Sequence, residues 1–268
     1  MASRTPTPST GTTHWRWATL GGSIGLVLAL VLFAPARWLA LAIESASERH
    51  VLLRDARGTV WNGSAQLVLA GGIDSRDATA LPERLHWRIR PSGLGAAVAL
   101  QASCCMDQPW QLRAQPRWTG ALVSVADGRS HWPAAMLAGL GTPWNTVQPE
   151  GLLALSTQGL AAEWISNRLV LNGSMRLEAT DLSSRLSTLK PMGSYRLTLA
   201  GGAQDGPASL QLETISGSLQ LTGSGQWVGS RLRFDGVASA APERIDALSN
   251  LLNIIGRRNG ARSIIKVG

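Results

Sequence analysis

Four histidines (His14, His50, His86 and His131), two adjacent cysteines (Cys104 and Cys105) and one glycine-rich run (GSGQWVG, Gly223 to Gly229) are the places where this sequence could carry chemistry. Histidines bind metals or move protons, but none here lies in an HExxH or an i, i+4 pair. His86 reads as a surface residue of a strand. Two cysteines fall short of the four ligands of a structural zinc site. Neighbouring cysteines close a bridge to each other only through a strained ring. A bridge between chains, a redox pair and two reduced thiols stay open. The glycine run lies between strands rather than before a helix, and it lacks the Lys-Ser/Thr ending of a phosphate loop. There is no GxSxG elbow, and the acidic residues are dispersed rather than paired for acid–base work. No catalytic, cofactor-binding or metal-ligating set emerges, and the chain reads as a non-enzyme.

The elements around these residues are strands. Period-two alternation marks half-buried β-structure. Leu169, Leu171, Met175 and Leu177 share one face, and Tyr195, Leu197 and Leu199 repeat the pattern. So do Leu210 with Leu212, Leu219 with Leu221, Leu232 with Phe234, Ala65 with Leu67 and Leu69, and Leu85 with Trp87 and Ile89. Asn62-Gly63, Gly71-Gly72, Asp127-Gly128, Asn172-Gly173, Gly201-Gly202, Asp205-Gly206 and Asp235-Gly236 supply hairpin chemistry, or bulges where alternation runs through them. The tryptophans Trp61, Trp87, Trp110, Trp118 and Trp227 are placed in strands, as core or as the lining of a groove. The result is a mostly antiparallel, curved sheet with one apolar face. A weak repeat, WNGSAQLVL and LNGSMRLEA, suggests two β halves divided near 142–150.

Two segments read as helices. Trp132 to Gly141 makes a short one with Pro133 in its first turn. Pro242 to Gly256 is amphipathic, with Ile245, Leu248, Leu252 and Ile255 in a stripe and Leu251 beside it. That stripe packs across an end of the sheet or serves as an interaction helix.

The sheet follows an apolar N-terminal segment, Ala18 to Phe33, which carries no charge. Sixteen residues span about 24 Å, short of the ~30 Å hydrocarbon core. A span over 18–43 therefore runs on through Pro35, with Arg37 and Trp38 at the interface. Trp15 and Trp17 form the opposite belt. Arg4 and Arg16 place residues 1–17 in the cytoplasm and residues 44–268 in the periplasm. A cleaved signal ending at Ala34-Pro35-Ala36 is the alternative. The formal net charge of +8 suits anionic lipid surfaces. No recognition helix or RNA signature accompanies the arginines, so nucleic acid is not a partner.

The anchor, the GTVWNG box (Gly58, Thr59, Val60, Trp61 and Gly63), GSYRLTL, the long block SGSLQLTGSGQWVGSRLRFDGVASA and the terminal LSNLLNIIG occur in an order that resembles protein N of the type II secretion system. The resemblance implies a single-pass inner-membrane accessory subunit without cofactors, acting in export of folded proteins across the outer membrane. It implies contacts with the inner-membrane protein C and the outer-membrane secretin. The family is also similar to AsmA-like proteins, which implies a trough or open barrel and a lipid-binding alternative. Cys104 and Cys105 match no motif of the family.

Overall fold

The computed structural model describes residues 12–118, 120–165, 168–202, 206–228 and 231–268. Arg4, Asp205 and Gly229, which figure in the expectations above, lie outside the described residues.

The apolar segment forms α1 (Thr12–Leu32), about 31 Å long, of which the apolar window Trp15–Leu32 takes up about 27 Å. The single helix expected over 18–43 is in fact two. Pro35 has no N–H to give and pushes Ala34 out of the helical region, so the chain breaks after Leu32. It restarts as α2 (Ala36–Ala46). Ala36 is buried with Ala65 and Trp87, and Leu39 packs beside them. Thus α2 lies on the β body, whereas the apolar window Trp15–Leu32 of α1 has none of its residues buried.

Behind the helices stands one antiparallel sheet. Strands β1 (Val51–Gly58), β2 (Asn62–Ala70), β3 (Ala78–Ser92), β4 (Gly95–Gln101), β5 (Trp110–Arg117) and β6 (Gly120–Val125) meander in sequence order. β7 (Gly128–Pro133) continues in line with β6, and both pair with the long β8 (Pro149–Ile165). Between β7 and β8 come a 3-10 helix (Ala134–Leu140) and α3 (Trp144–Val147). The meander resumes with β9 (Arg168–Ser184), β10 (Gly193–Ala200), β11 (Ser209–Gly217), β12 (Leu219–Val228) and β13 (Arg231–Ala240). A 3-10 turn at Pro242–Arg244 leads into α4 (Ile245–Ile255). β14 (Arg257–Asn259) and β15 (Arg262–Val267) form a last hairpin, with β15 paired to β13. β1 and β14 stand at opposite edges, so the sheet is open. It crosses residues 142–150 without a break, because β8 pairs on both sides.

Alternate turns of a meander share an end of the sheet. The last residues of β1, β3, β5, β8, β10 and β12 and the first of β2, β4, β6, β9, β11 and β13 lie at the end where α1 joins, the near end. The opposite turns, with α3 and the start of α4, form the far end.

Several local expectations change. Asp235-Gly236 sits inside β13, where Gly223 and Gly236 face each other across the strands under the Phe234 ring. The aromatic ring fills the space that two missing side chains leave. Asn172-Gly173, by contrast, lies mid-strand at a bulge, as the alternation through it implies, with the extra residue carried by β8. Trp61 and Trp118 lie in turns rather than strands. The first helix expected near Trp132 is 3-10 and starts at Ala134, because Trp132 and Pro133 stay paired in β7. Cys104 and Cys105 are bonded to each other, the option that chain geometry disfavours. Cys105 is buried among Leu81, Ala102, Met106 and Met136, and its carbonyl accepts from the His131 N–H at 2.7 Å.

Candidate functional site

Two features combine many residues: a clasp on α1 and an apolar trough. The clasp is built from the GTVWNG box, which forms the β1–β2 turn. Thr59 closes the turn, its N–H donating to the Asn62 carbonyl at 2.9 Å while its Oγ1 accepts from the Asn62 N–H at 3.1 Å. Gly58 has φ +88°, and a side chain there would strike the Asn62 carbonyl. A side chain on Gly63 would strike the Trp87 ring and the Arg57 carbonyl. Both glycines are therefore needed for the turn to fold this tightly.

The turn then reaches the end of α1. Trp61 Nε1 donates to the Val31 carbonyl at 2.7 Å, and the Val60 N–H donates to the Ala34 carbonyl at 2.8 Å. Pro35 bridges Thr59. Carbonyls at a helix C-terminus lack partners within the helix, and the box supplies them. Trp87, itself buried, holds the turn from below, its Nε1 donating to the Val60 carbonyl at 3.0 Å. The Ile89 N–H donates to the Trp61 carbonyl at 2.7 Å. The order of motif and anchor in sequence gives no sign of this contact, because it needs the chain to break at Pro35 and return through α2 and β1.

The trough lies over β8–β15. Its volume is about 1270 Å³, above the ~300–1,000 Å³ of common small-molecule pockets. Leu177, Ala179, Leu197, Leu210, Leu212, Leu221, Leu232 and Phe234 form its floor, which is the face predicted by alternation. α4 caps the far end. Leu248, Leu251 and Leu252 are fully buried against Val147, Met192, Tyr195, Leu219 and Ala238, with Ile255 packed beside them. Ile245 is half-buried. The stripe on this helix is thus occupied within the chain itself. Toward the near end, Leu232 and Phe234 continue the floor beyond the reach of α4. Arg257, Arg258 and Lys266 stand at the wall.

The polar groups do structural work. Tyr195 donates its hydroxyl to the Leu219 carbonyl at 3.0 Å, and burial pushes its phenol well above the usual value. On the opposite face Arg196 joins three strands, with 2.8 Å contacts to Glu178 and Glu213. Asp55 is held below the usual carboxylate range, first by Arg57 and then by Arg84. Arg196 links adjacent strands and Arg84 reaches from β3 across β2 to Asp55 in β1, so among the described residues these exposed pairs tie the sheet together. Among the described residues, no three His, Cys, Asp or Glu side chains gather as a metal site. His50 and His86 are exposed, and His131 is half-buried in β7. Gly223 and Gly225 of the glycine run lie within β12, paired between β11 and β13, and not at a helix start.

No curated protein and no solved structure matches the chain. The family model for type II secretion system protein N matches residues 49–265, which takes in the box, α4 and the sheet up to Ile265 in β15. The chain belongs to the type II secretion system protein N family.

Proposed function

We propose that the protein is a non-enzymatic, single-pass subunit of the inner membrane that takes part in export of folded proteins from the periplasm. α1 spans the membrane with residues 1–17 in the cytoplasm, and the sheet stands in the periplasm. The carrying observation is the clasp. An apolar helix with no buried residue in its Trp15–Leu32 window is bonded at its end to the box of a secretion-family body. A leader destined for removal has no need of two hydrogen bonds into the mature fold. Trp38, exposed at the start of α2, and Arg37 beside it supply the interfacial chemistry on the sheet side. The family implies contacts with the inner-membrane protein C and the outer-membrane secretin, made by the outer face and edges of the sheet, since the α4 stripe is taken. Photo-crosslinkers at exposed positions of the sheet, read in secreting cells, should capture a secretion component. Capture of none of them would overturn the reading.

The trough favours a second, compatible role in lipid binding. Its floor is apolar, its wall carries Arg257, Arg258 and Lys266, and it exceeds what a small metabolite fills. Native mass spectrometry of gently purified protein should show a bound amphiphile. A clean apo spectrum from folded protein would remove this role and leave the first intact.

A further inference from the structure

We propose that the near-end hairpin tips of the sheet are seated in the headgroup layer of the bilayer that α1 enters, so that the body stands on the membrane. The inference rests on the reading of α1 as a span. The β1–β2 turn fixes the sheet's near end to the last turn of α1. The next hairpin reaches past that level: Arg88 pairs with Asn62, and β3 runs four residues farther to Ser92, about 13 Å at strand rise. At its tip Leu94 is 95% exposed, and at the next tip Trp118 is 106% exposed. Trp164, at the end of β8, is exposed as well. Inside a soluble body such side chains would gain by burial. Here successive tips leave them pointing away from the sheet.

The charges around them complete the pattern. Arg90 and Arg117 flank the two tips, and both are exposed. Their aliphatic stems can lie against acyl chains while the guanidinium groups meet lipid phosphates. Turns at the far end differ. They carry both signs, Asp74, Asp77, Asp107, Glu243 and Asp246 beside Arg76, Arg185, Lys190 and Arg244, and their exposed Ile73 and Trp144 are not flanked by arginine alone. The Leu94 and Trp118 tips, with arginine and no carboxylate, at one end, and turns of mixed sign at the other, orient the sheet on an anionic surface. The seated end is also the end where α4 does not reach, so the trough opens toward the lipid.

The test uses the full chain in vesicles of phosphatidylethanolamine and phosphatidylglycerol, with Cys104 and Cys105 left oxidised. An environment-sensitive fluorophore on Ser92→Cys, beside Leu94, should shift to the blue and lose about half its emission to lipids carrying a nitroxide near the headgroup, the depth at which interfacial side chains lie. The same label on Asp74→Cys, at the far end, should stay unquenched. Adding Leu94→Asp and Trp118→Asp to the Ser92→Cys chain should restore its emission, and both changes sit on exposed turns that the fold does not need. A label at Ser92→Cys that behaves like the one at Asp74→Cys overturns the proposal, including the case in which a protein rather than lipid covers the tips. Quenching that the two Asp substitutions leave unchanged overturns it too. A label on Leu26→Cys in α1 reports the span separately. If it is quenched while Ser92→Cys is not, the rim fails and the span stands.

Discussion

The first seven strands and the last eight present the same kind of apolar face, yet one is filled and the other hollow. Over β2–β4, α2 covers the near end with Ala36 and Leu39 against Trp87, and the 3-10 helix covers the far end with Met136 against Leu81. Over β8–β15 only the far end is covered by helices, α4 with Val147 of α3 beside it, and the near end is the trough. Strand alternation is alike in both halves. What differs is the reach of the helices, and that alone decides whether a leucine is core or lining.

Truncations should separate the two. Trp87→Ala removes a buried ring and two hydrogen-bond acceptors' partner, and should cost about 3–5 kcal/mol in chemical denaturation. Leu251→Ala, under α4, should cost about 2–3 kcal/mol, since its pocket adjoins the trough and relaxes more easily. A loss as large as that for Trp87 would mean that the far end of the trough is packed as tightly as the filled half.

Tyr195→Phe should cost about 1 kcal/mol, because the Leu219 carbonyl loses its donor inside the protein. The same residue gives a pH signature. Its folded phenol titrates above the ordinary 10.0, so its contribution is intact below that value and falls as pH rises past it. Stability of the parent should decline in that alkaline range more steeply than that of Tyr195→Phe. Equal slopes would place the phenol in water.

Leu197→Ala, on the trough floor, should cost no more than about 1 kcal/mol, because one side of this leucine already faces open space. If its loss equals that of Leu251→Ala, the trough is occupied or collapsed in solution, and the contrast between the halves disappears. The smallest effect is expected from Cys104→Ser with Cys105→Ser. The bridge closes the shortest loop a chain can make, so denaturation should shift by under about 1 kcal/mol. Thiol titration of the native parent should find no free thiol.

Much of this was legible in residue order. Leu210, Leu212, Leu219 and Leu221 alternate, and they fall on one face as expected. Pro242 and Gly256 bracket the terminal helix, with its first turn tightened to 3-10. Other parts could not be read, for identifiable reasons. Asp235-Gly236 has turn chemistry, but continuous pairing with β12 and β15 overrides it, and Phe234 compensates for the glycines. The break at Pro35 was hidden by the apolar composition of ARWLALAI, which suits a membrane and equally suits the Trp87 pocket. Alternation also says that Leu197 and Leu232 share an apolar face without saying what lies over it. The cover comes from α4, whose reach is fixed by the chain's return through β14 and β15. The clasp was the least visible feature. Trp61 and Val31 are thirty residues apart, and nothing in either one's neighbours announces the other.

That clasp has a mechanical side. A domain hung from its helix by a flexible linker can swivel, and a pull on it dissipates in the linker. Here two hydrogen bonds and a proline-stiffened corner join the last turn of α1 to the first hairpin, which Trp87 braces from within. Torque applied at the far rim therefore travels down the sheet as through a lever and arrives at α1 as tilt.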